Sequence, residues 1–323
     1  MKTSTSPTGA IALTTMLAPI AWGTTYWVVT ELLPADRPLL VAATRVVPAG
    51  LLLVAIGLAT SGWRPRGREW RHVALLSLAN FGVFFPLLIA ATYRVPGGVI
   101  ASFAGLQPLL VLLGAWLMAG WRPRGRDVAV GVSAAVGVLL VVGLPGGSLD
   151  PLGLVLALAA NVSFAAGVVL TKHLPVPPDR IAHTGWQLVL SGLLIVPLAV
   201  VVEGIPSGVS GSNLLGAAYL GIVATGAAGV LWFNGVQRLP VAAPPLLGLA
   251  SAVTGVIVGW VVLGQGLSLV QSAGFLLTLA AIGYGALLSD RRTAPAIDRP
   301  PERHLRERDG STSARRSAAR LTA

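Results

Sequence analysis

The chain of 323 residues contains no cysteine, which removes disulfide frameworks, thiolate metal sites and cysteine nucleophiles together. Charge is scarce as well. Asp, Glu, Lys and Arg make up 11% of the residues, against about 25% in an ordinary soluble domain, so no charged shell can be built around a core. The acids are Glu31, Asp36, Glu69, Asp127, Asp150, Asp179, Glu203, Asp290, Asp298, Glu302, Glu307 and Asp309. None lies inside an apolar run away from its end, where a buried carboxylate would serve as a proton or sodium relay. The histidines, His72, His173, His183 and His304, also fall at the ends of such runs or in the tail. Neither H-E-x-x-H nor a phosphate-binding G-x-x-x-x-G-K-[ST] nor a dinucleotide fingerprint occurs. ATP-driven transport would therefore need a separate chain, and no cofactor is expected. An intramembrane hydrolase would need a serine beside histidine or lysine at depth, and none is legible.

Apolar sequence is what the chain has in abundance: 54% of its residues are hydrophobic and its mean hydropathy is +0.77. Turn signals and charges divide it at 10–32, 38–60, 71–92, 97–119, 127–144, 152–172, 180–202, 213–236, 241–263 and 268–288. Each run is near the length of about 17–25 residues that crosses a bilayer as a helix. The fold class expected is all-α integral membrane, with ten transmembrane helices joined mostly by short turns such as WRPRGR at 121–126 and PGGSLD at 145–150.

The net charge of +11 would suggest nucleic acid for a soluble protein, but in a membrane protein basic residues collect in cytoplasmic loops. With the N-terminus inside, that set is Lys2, Arg64, Arg66, Arg68, Arg71, Arg122, Arg124, Arg126, Lys172, Arg180, Arg238 and the arginines beyond residue 290. Arg37 and Arg94 fall outside and Arg45 lies within a span. The segregation predicts a multi-pass protein of the cytoplasmic membrane with both termini cytoplasmic. A cleaved signal peptide at the start fits less well: the run is long and no A-x-A site closes it. Residues 1–9 read as a short cytoplasmic N-terminus, and 290–323 as a disordered basic cytoplasmic tail.

The chain also resembles itself. Setting YRVPGGVIASFAGLQPLLVLLGAW at 93–116 against VQRLPVAAPPLLGLASAVTGVIVGW at 236–260 pairs Arg94 with Arg238, Pro96 with Pro240 and Trp116 with Trp260. Earlier in the chain, Trp22 pairs with Phe164, Arg45 with Gln187 and Gly50 with Gly192. Two repeats follow, 10–144 and 151–289, of five helices each. An odd number makes the second enter the membrane from the opposite side, so the repeats are inverted. Inverted repeats recur in secondary transporters, where near-equivalent halves exchange conformations and open one site alternately to each side.

The opening APIAWGTTYWVV, the arginine of VAATRVVPAG, the hairpin YRVPGGVIASFAGLQPLLV and the five-plus-five duplication resemble the EamA family of the drug/metabolite transporter superfamily. The resemblance spans 9–289. It implies small-molecule transport, commonly export of amino acids, metabolites or drugs. It also implies a central cavity lined by the first four helices of each half, with the fifth and tenth more peripheral.

Uncharged polar residues inside apolar runs map such a cavity, because an amide facing lipid leaves its donors and acceptors unpaired. They are Thr24, Thr25, Asn80, Gln107, Asn161, Gln187, Asn234 and Ser251; each could instead clasp two helices. Aromatic residues stand one helical turn from a second residue in Trp22 with Tyr26, Asn80 with Phe84 and Phe103 with Gln107. Arg45 either faces the cavity as a cation for a substrate carboxylate or an outer gate, snorkels to headgroups, or pairs with Glu31. The substrate-binding set expected is Trp22, Tyr26, Arg45, Asn80, Phe84, Phe103, Gln107, Asn161, Phe164, Gln187, Trp232 and Asn234. Within the hairpin, Pro96 starts a helix, Gly97 and Gly98 soften the turn, and Gly105 and Gly114 permit close packing. Trp63, Trp70 and Trp121 read as interfacial belt residues.

The function expected is secondary transport across the cytoplasmic membrane, exporting a small metabolite, amino acid or amphipathic compound by alternating access. Coupling stays open among proton antiport, substrate exchange and facilitated efflux. The partners expected are a small-molecule substrate and membrane lipid, with no nucleic acid, and a homodimer stays open. The rival readings are an intramembrane enzyme acting on a lipid-soluble substrate and a noncatalytic membrane scaffold.

Overall fold

The computed structural model of the protein describes residues 7–34, 37–95, 100, 103–142, 150–206, 208–263 and 268–290. Among the described residues every regular element is a helix. In chain order they are α1 (Pro7–Gly23), α2 (Thr25–Leu32), α3 (Pro38–Thr60), α4 (Glu69–Thr92), α5 (Gln107–Ala119), α6 (Gly125–Val142), α7 (Pro151–His173), α8 (Arg180–Glu203), α9 (Gly211–Arg238), α10 (Ala243–Gly248), α11 (Ala250–Leu263) and α12 (Leu269–Asp290). Six of them, α3, α4, α7, α8, α9 and α12, are long and apolar enough to cross a membrane. The chain is an all-helical membrane protein. The tail beyond Asp290, the helix start expected at Pro96 with Gly97 and Gly98, and the turn at 145–149 lie outside the described residues.

Local chemistry sets the helix ends. Asp150 caps α7 by accepting from Leu152 N at 2.9 Å, with Pro151 in the first turn. Asp179 caps α8 through Ile181 N and Ala182 N at 2.8 and 3.0 Å. Ser210 and Asn213 form a reciprocal capping box at α9. The first amides of α3 find their acceptor on another helix: Leu39 N and Leu40 N donate to the Glu203 carboxylate at 2.7 and 2.8 Å. Gly120, at φ 66°, ends α5 in the left-handed conformation that favours glycine.

Several expected helices are interrupted. The run 10–32 breaks at Thr24, whose hydroxyl donates to Ala21 O at 2.8 Å. The run 97–119 has a turn at Leu106, and 241–263 has one at Leu249. Within α4 and α9 the backbone widens to π-helix at Leu78–Gly82 and Tyr219–Ala227. Hydropathy averaged over a window cannot register a change at one residue, which is why these breaks escaped the sequence pattern.

Packing follows small residues. α3 lies against α8, with a Cβ at Gly50 reaching within 2.8 Å of Val189 N and one at Gly185 within 2.7 Å of Val54 N. α4 packs on α7, α1 on α9, and α6 on α12. α5 contacts α7 and α10, while α1 contacts α10 and α11. Gly105 sits against Val138 and Gly114 against Val169, the close approach their sequence positions suggest. Large apolar side chains such as Leu51, Leu117, Val201 and Leu276 stay exposed, a surface that suits hydrocarbon and not water.

Candidate functional site

One cavity lies among the packed helices, with about 100 Å³ of internal room. Its wall is built from helical faces. α4 presents Phe81, Phe84, Phe85 and Leu88, one stripe at i, i+3, i+4 and i+7, together with Asn80 beside Phe81. α9 presents Thr225, Gly229, Trp232 and Phe233, at i, i+4, i+7 and i+8. Trp22, Thr25 and Tyr26 enter from the α1–α2 junction and Arg45 from α3. Ala104, Gln107 and Val111 supply the edge near α5, and Asn161, Phe164 and Val168 come from α7. Pro245 and Gly248 of α10 and Ser251 of α11 close the wall.

The aromatic rings form a connected surface. Trp22 meets Phe164 edge-on at 5.8 Å and Trp232 at 5.1 Å between centroids. Phe164 stacks on Phe84 at 4.8 Å and on Trp232 at 6.0 Å. Such geometries add about 0.5–1.5 kcal/mol per pair beyond burial. Two anchors run to π-helical backbone: Trp22 Nε1 donates to Ala224 O at 2.8 Å, and Ser163 Oγ donates to Ala79 O at 2.9 Å. A π turn bonds i to i+5 and leaves carbonyls open to side chains, so in both places a neighbouring helix is tied to the widened segment.

Arg45 is buried, 1% exposed. Its Nε donates to Thr225 Oγ1 at 3.1 Å, and its guanidinium lies 4.2 Å from the centre of the Phe85 ring. Neither snorkelling nor a pair with Glu31 describes it. The side chain turns inward, where a ring face and a hydroxyl replace the headgroup or carboxylate the sequence allowed. Its Nη1 has no hydrogen-bond partner in the protein, nor has Trp232 Nε1 or Thr25 Oγ1.

The remaining polar side chains are tied to one another. Asn80 Nδ2 donates to Gln187 Oε1 at 3.2 Å, and Gln187 Nε2 lies 3.0 Å from His183 Nδ1. Gln107 Nε2 donates to Asn161 Oδ1 at 2.9 Å and Asn161 O at 3.1 Å, a clasp between α5 and α7 at the cavity edge. Thr24 is bonded to the Tyr219 hydroxyl at 2.7 Å.

The cavity thus collects Trp22, Tyr26, Arg45, Asn80 and Phe84, with Gln107, Asn161, Phe164 and Trp232, from the expected set. Three residues of that set do not line it. Phe103 packs in a separate cluster with Val95, Ile100 and Ala157, one position off the Ala104–Gln107 face. Gln187 is buried between α8 and α4, held by Asn80 and His183. Asn234 follows Phe233 and is turned to the next face of α9. Sequence reasoning overlooked Phe81, Phe85 and Thr225, although the stripe through Phe84 and the turn before Gly229 carried the signal. Among the supposed belt residues, Trp70 meets Trp186 edge-on at 5.3 Å and Trp121 packs against both larger core clusters.

Clasps close the packing beyond the cavity. At the end that carries Arg180 and Arg238, Lys172 Nζ donates to Val236 O at 3.0 Å and to Leu239 O. Arg180 Nε donates to Gln237 Oε1 at 2.8 Å there. At the other end Arg94 bonds Asp150 at 2.9 Å. The Arg94 guanidinium holds the Asp150 carboxyl below its ordinary value, with help from the amides of Leu152 and Gly153. Burial pushes Asp179 up, but the Ser61 hydroxyl and the amides of Ala182 and Ile181 overrule it and leave it below the usual carboxylate value. Among the described residues, no cluster of three His, Asp or Glu side chains is placed to hold a metal ion.

Comparison with known proteins adds the remaining findings. Residues 9–143 and 151–284 each match the model of the EamA-like transporter family. Protein PecM of Dickeya dadantii is 39% identical over 267 residues, 82% of this chain and 88% of its own length. A WAT1-related chloroplastic protein of Arabidopsis thaliana is 28% identical, over 83% of this chain and 68% of its own. YedA of Escherichia coli K12, named an uncharacterized inner membrane transporter, is 27% identical over 77% and 79%. A solved crystal structure superposes with a TM-score of 0.72 at 25% identity, covering 88% of this chain and all of that one.

Proposed function

We propose, from the premise that this chain belongs to the EamA-like transporter family, that it is a secondary transporter of the cytoplasmic membrane. In this reading it exports a small organic molecule by alternating access. Membership makes it a membrane transporter; the direction, the mechanism and the ten crossings in two inverted halves are the proposal. One observation carries it: a single cavity is walled by side chains from both family-matched segments, Trp22, Arg45 and Phe84 from the first and Phe164, Thr225 and Trp232 from the second.

The packing pattern supports inverted halves. Exchanging each helix for its partner five crossings later turns the α1–α9 contact into the α7–α4 contact, and leaves α3–α8 and α6–α12 as they are. The π segments, the breaks at Leu106 and Leu249, and the anchors from Trp22 and Ser163 are likewise paired. The arginine-rich turns at 64–71 and 122–126, with Lys172, Arg180 and Arg238, favour both termini on the cytoplasmic side.

Alternating access then needs one wall to separate while the other stays shut. The Lys172 and Arg180 clasps are the contacts to open toward the cytoplasm, and the Arg94–Asp150 and Glu203 contacts are those to open outward. No Asp or Glu is among the residues lining the cavity, which favours exchange or facilitated efflux over a carboxylate relay. Counterflow in proteoliposomes across a broad metabolite panel tests the reading. Accumulation of tracer against preloaded substrate is expected, and absence of exchange by every compound would sink it.

A further inference from the structure

The polar atoms of the cavity differ in what they have left to give. Nη1 of Arg45, Nε1 of Trp232 and Oγ1 of Thr25 are buried, lack a partner in the protein, and can donate. Two of the acceptors are engaged. Ala224 O takes the Trp22 N–H, and Asn161 Oδ1 takes the Gln107 amide. Oδ1 of Asn80 is, among the described residues, the one buried acceptor-only atom without a partner, and it lies against Gly167, where a Cβ would overlap it. No carboxylate lines the space.

Resting on the transporter reading above, we infer that the cavity takes flat aromatic molecules bearing acceptor oxygens, carboxylates first, and rejects amines and zwitterionic amino acids. The rings of Trp22, Phe84, Phe164 and Trp232 give a continuous apolar wall with π faces for a flat ring system. A carboxylate or carbonyl oxygen can take the free donor of Arg45 or of Trp232, and the bond to a guanidinium strengthens where water is excluded. An ammonium group meets the opposite conditions: the one charge lining the site is positive, and no anion is present to hold it. Ring faces attract cations, but the Phe85 face already carries the Arg45 guanidinium, and a second cation on the neighbouring rings would meet its repulsion.

The test uses ligands that share one ring system: 2-naphthoate, 2-naphthamide, protonated 2-naphthylmethylamine and 3-(2-naphthyl)alanine. Affinity is measured by isothermal titration with the full chain in detergent, and counterflow is measured with the same compounds in proteoliposomes. The carboxylate is expected to bind about tenfold tighter than the amide, and the amine and amino acid about tenfold weaker still. Arg45→Gln should erase the preference of carboxylate over amide. Trp232→Phe, which keeps an aromatic ring while removing the N–H and part of the indole, should weaken both carbonyl ligands about threefold or more and guards against misfolding of the arginine variant. Equal or tighter binding of the amine or amino acid would overturn the inference, as would a preference unchanged in Arg45→Gln. Selective binding without flux of any compound would retain the site chemistry and overturn the carrier. Counterflow of other metabolites with no binding in the series would do the reverse.

Discussion

Arg45 and Gln187 occupy matched positions in the two halves of the chain, each a buried polar residue of a helix in the α3–α8 pair, and the structure uses them differently. Gln187 gives its oxygen to Asn80 and its nitrogen to His183; Arg45 bonds Thr225 and keeps Nη1 free. One polar side chain fixes the packing and the other holds capacity in reserve at the cavity. Buried polar residues therefore differ in what their neighbours leave unsatisfied, and depth in the chain's apolar runs says little by itself.

The strongest way to break the comparison is to disturb the fixed side through Gly167, where a Cβ would lie 2.7 Å from Asn80 Cγ and overlap its amide oxygen. Gly167→Ala should cost about 3 kcal/mol, the upper end for overpacking, read as lower thermal stability in detergent. A variant as stable as the parent would show that Asn80 has another place to go. Gln187→Leu should cost about 1–2 kcal/mol by leaving Asn80 Nδ2 and His183 without their shared partner. Counterflow per inserted molecule should nevertheless stay within about twofold of the parent, unlike Arg45→Gln. A large loss of flux at unchanged stability would place Gln187 in the same class as Arg45.

Gln107 tests the boundary between the classes, because it lines the cavity and also clasps Asn161. Gln107→Leu should lower stability by about 0.6 kcal/mol, typical of an interhelical hydrogen bond in a membrane, and reduce counterflow while insertion is retained. Flux equal to the parent would assign it wholly to packing. The smallest effect belongs to Asp150, far from the contrast. Its carboxyl titrates below the ordinary 3.8, so it contributes stability above that value, lost as pH falls through the lowered one. Melting of Asp150→Asn should therefore differ from the parent at about pH 7 and converge with it near pH 2. A constant offset across that range would mean that Arg94 is not its partner in solution.

Much of this was legible beforehand, for identifiable reasons. Apolar runs such as 38–60 and 180–202 declare a membrane helix because every residue contributes to the same sum. Trp22, Arg45 and Phe84 stand out as a large ring or a lone charge where neither is needed merely to cross lipid. Phe103 and Asn234 misled because residue type carries no facing: each is one position from a cavity stripe, a rotation of about 100° on a helix. The Lys172 clasp was hidden for a different reason, since its partners are the carbonyls of Val236 and Leu239, groups every residue possesses.

The π segments make the chain tolerant of added length. Matched residues stand 142 positions apart at Trp22 and Phe164 but 144 apart at Arg94 and Arg238, and the change falls within α4 and α9. There the widened stretch is five residues in one helix and nine in the other. A turn closed at i+5 admits an extra residue without rotating the helix that follows. Trp232 can therefore keep facing the cavity although its half is the longer one there, so α9 has slack to accept an insertion where an ordinary helix would have turned its wall away from the cavity.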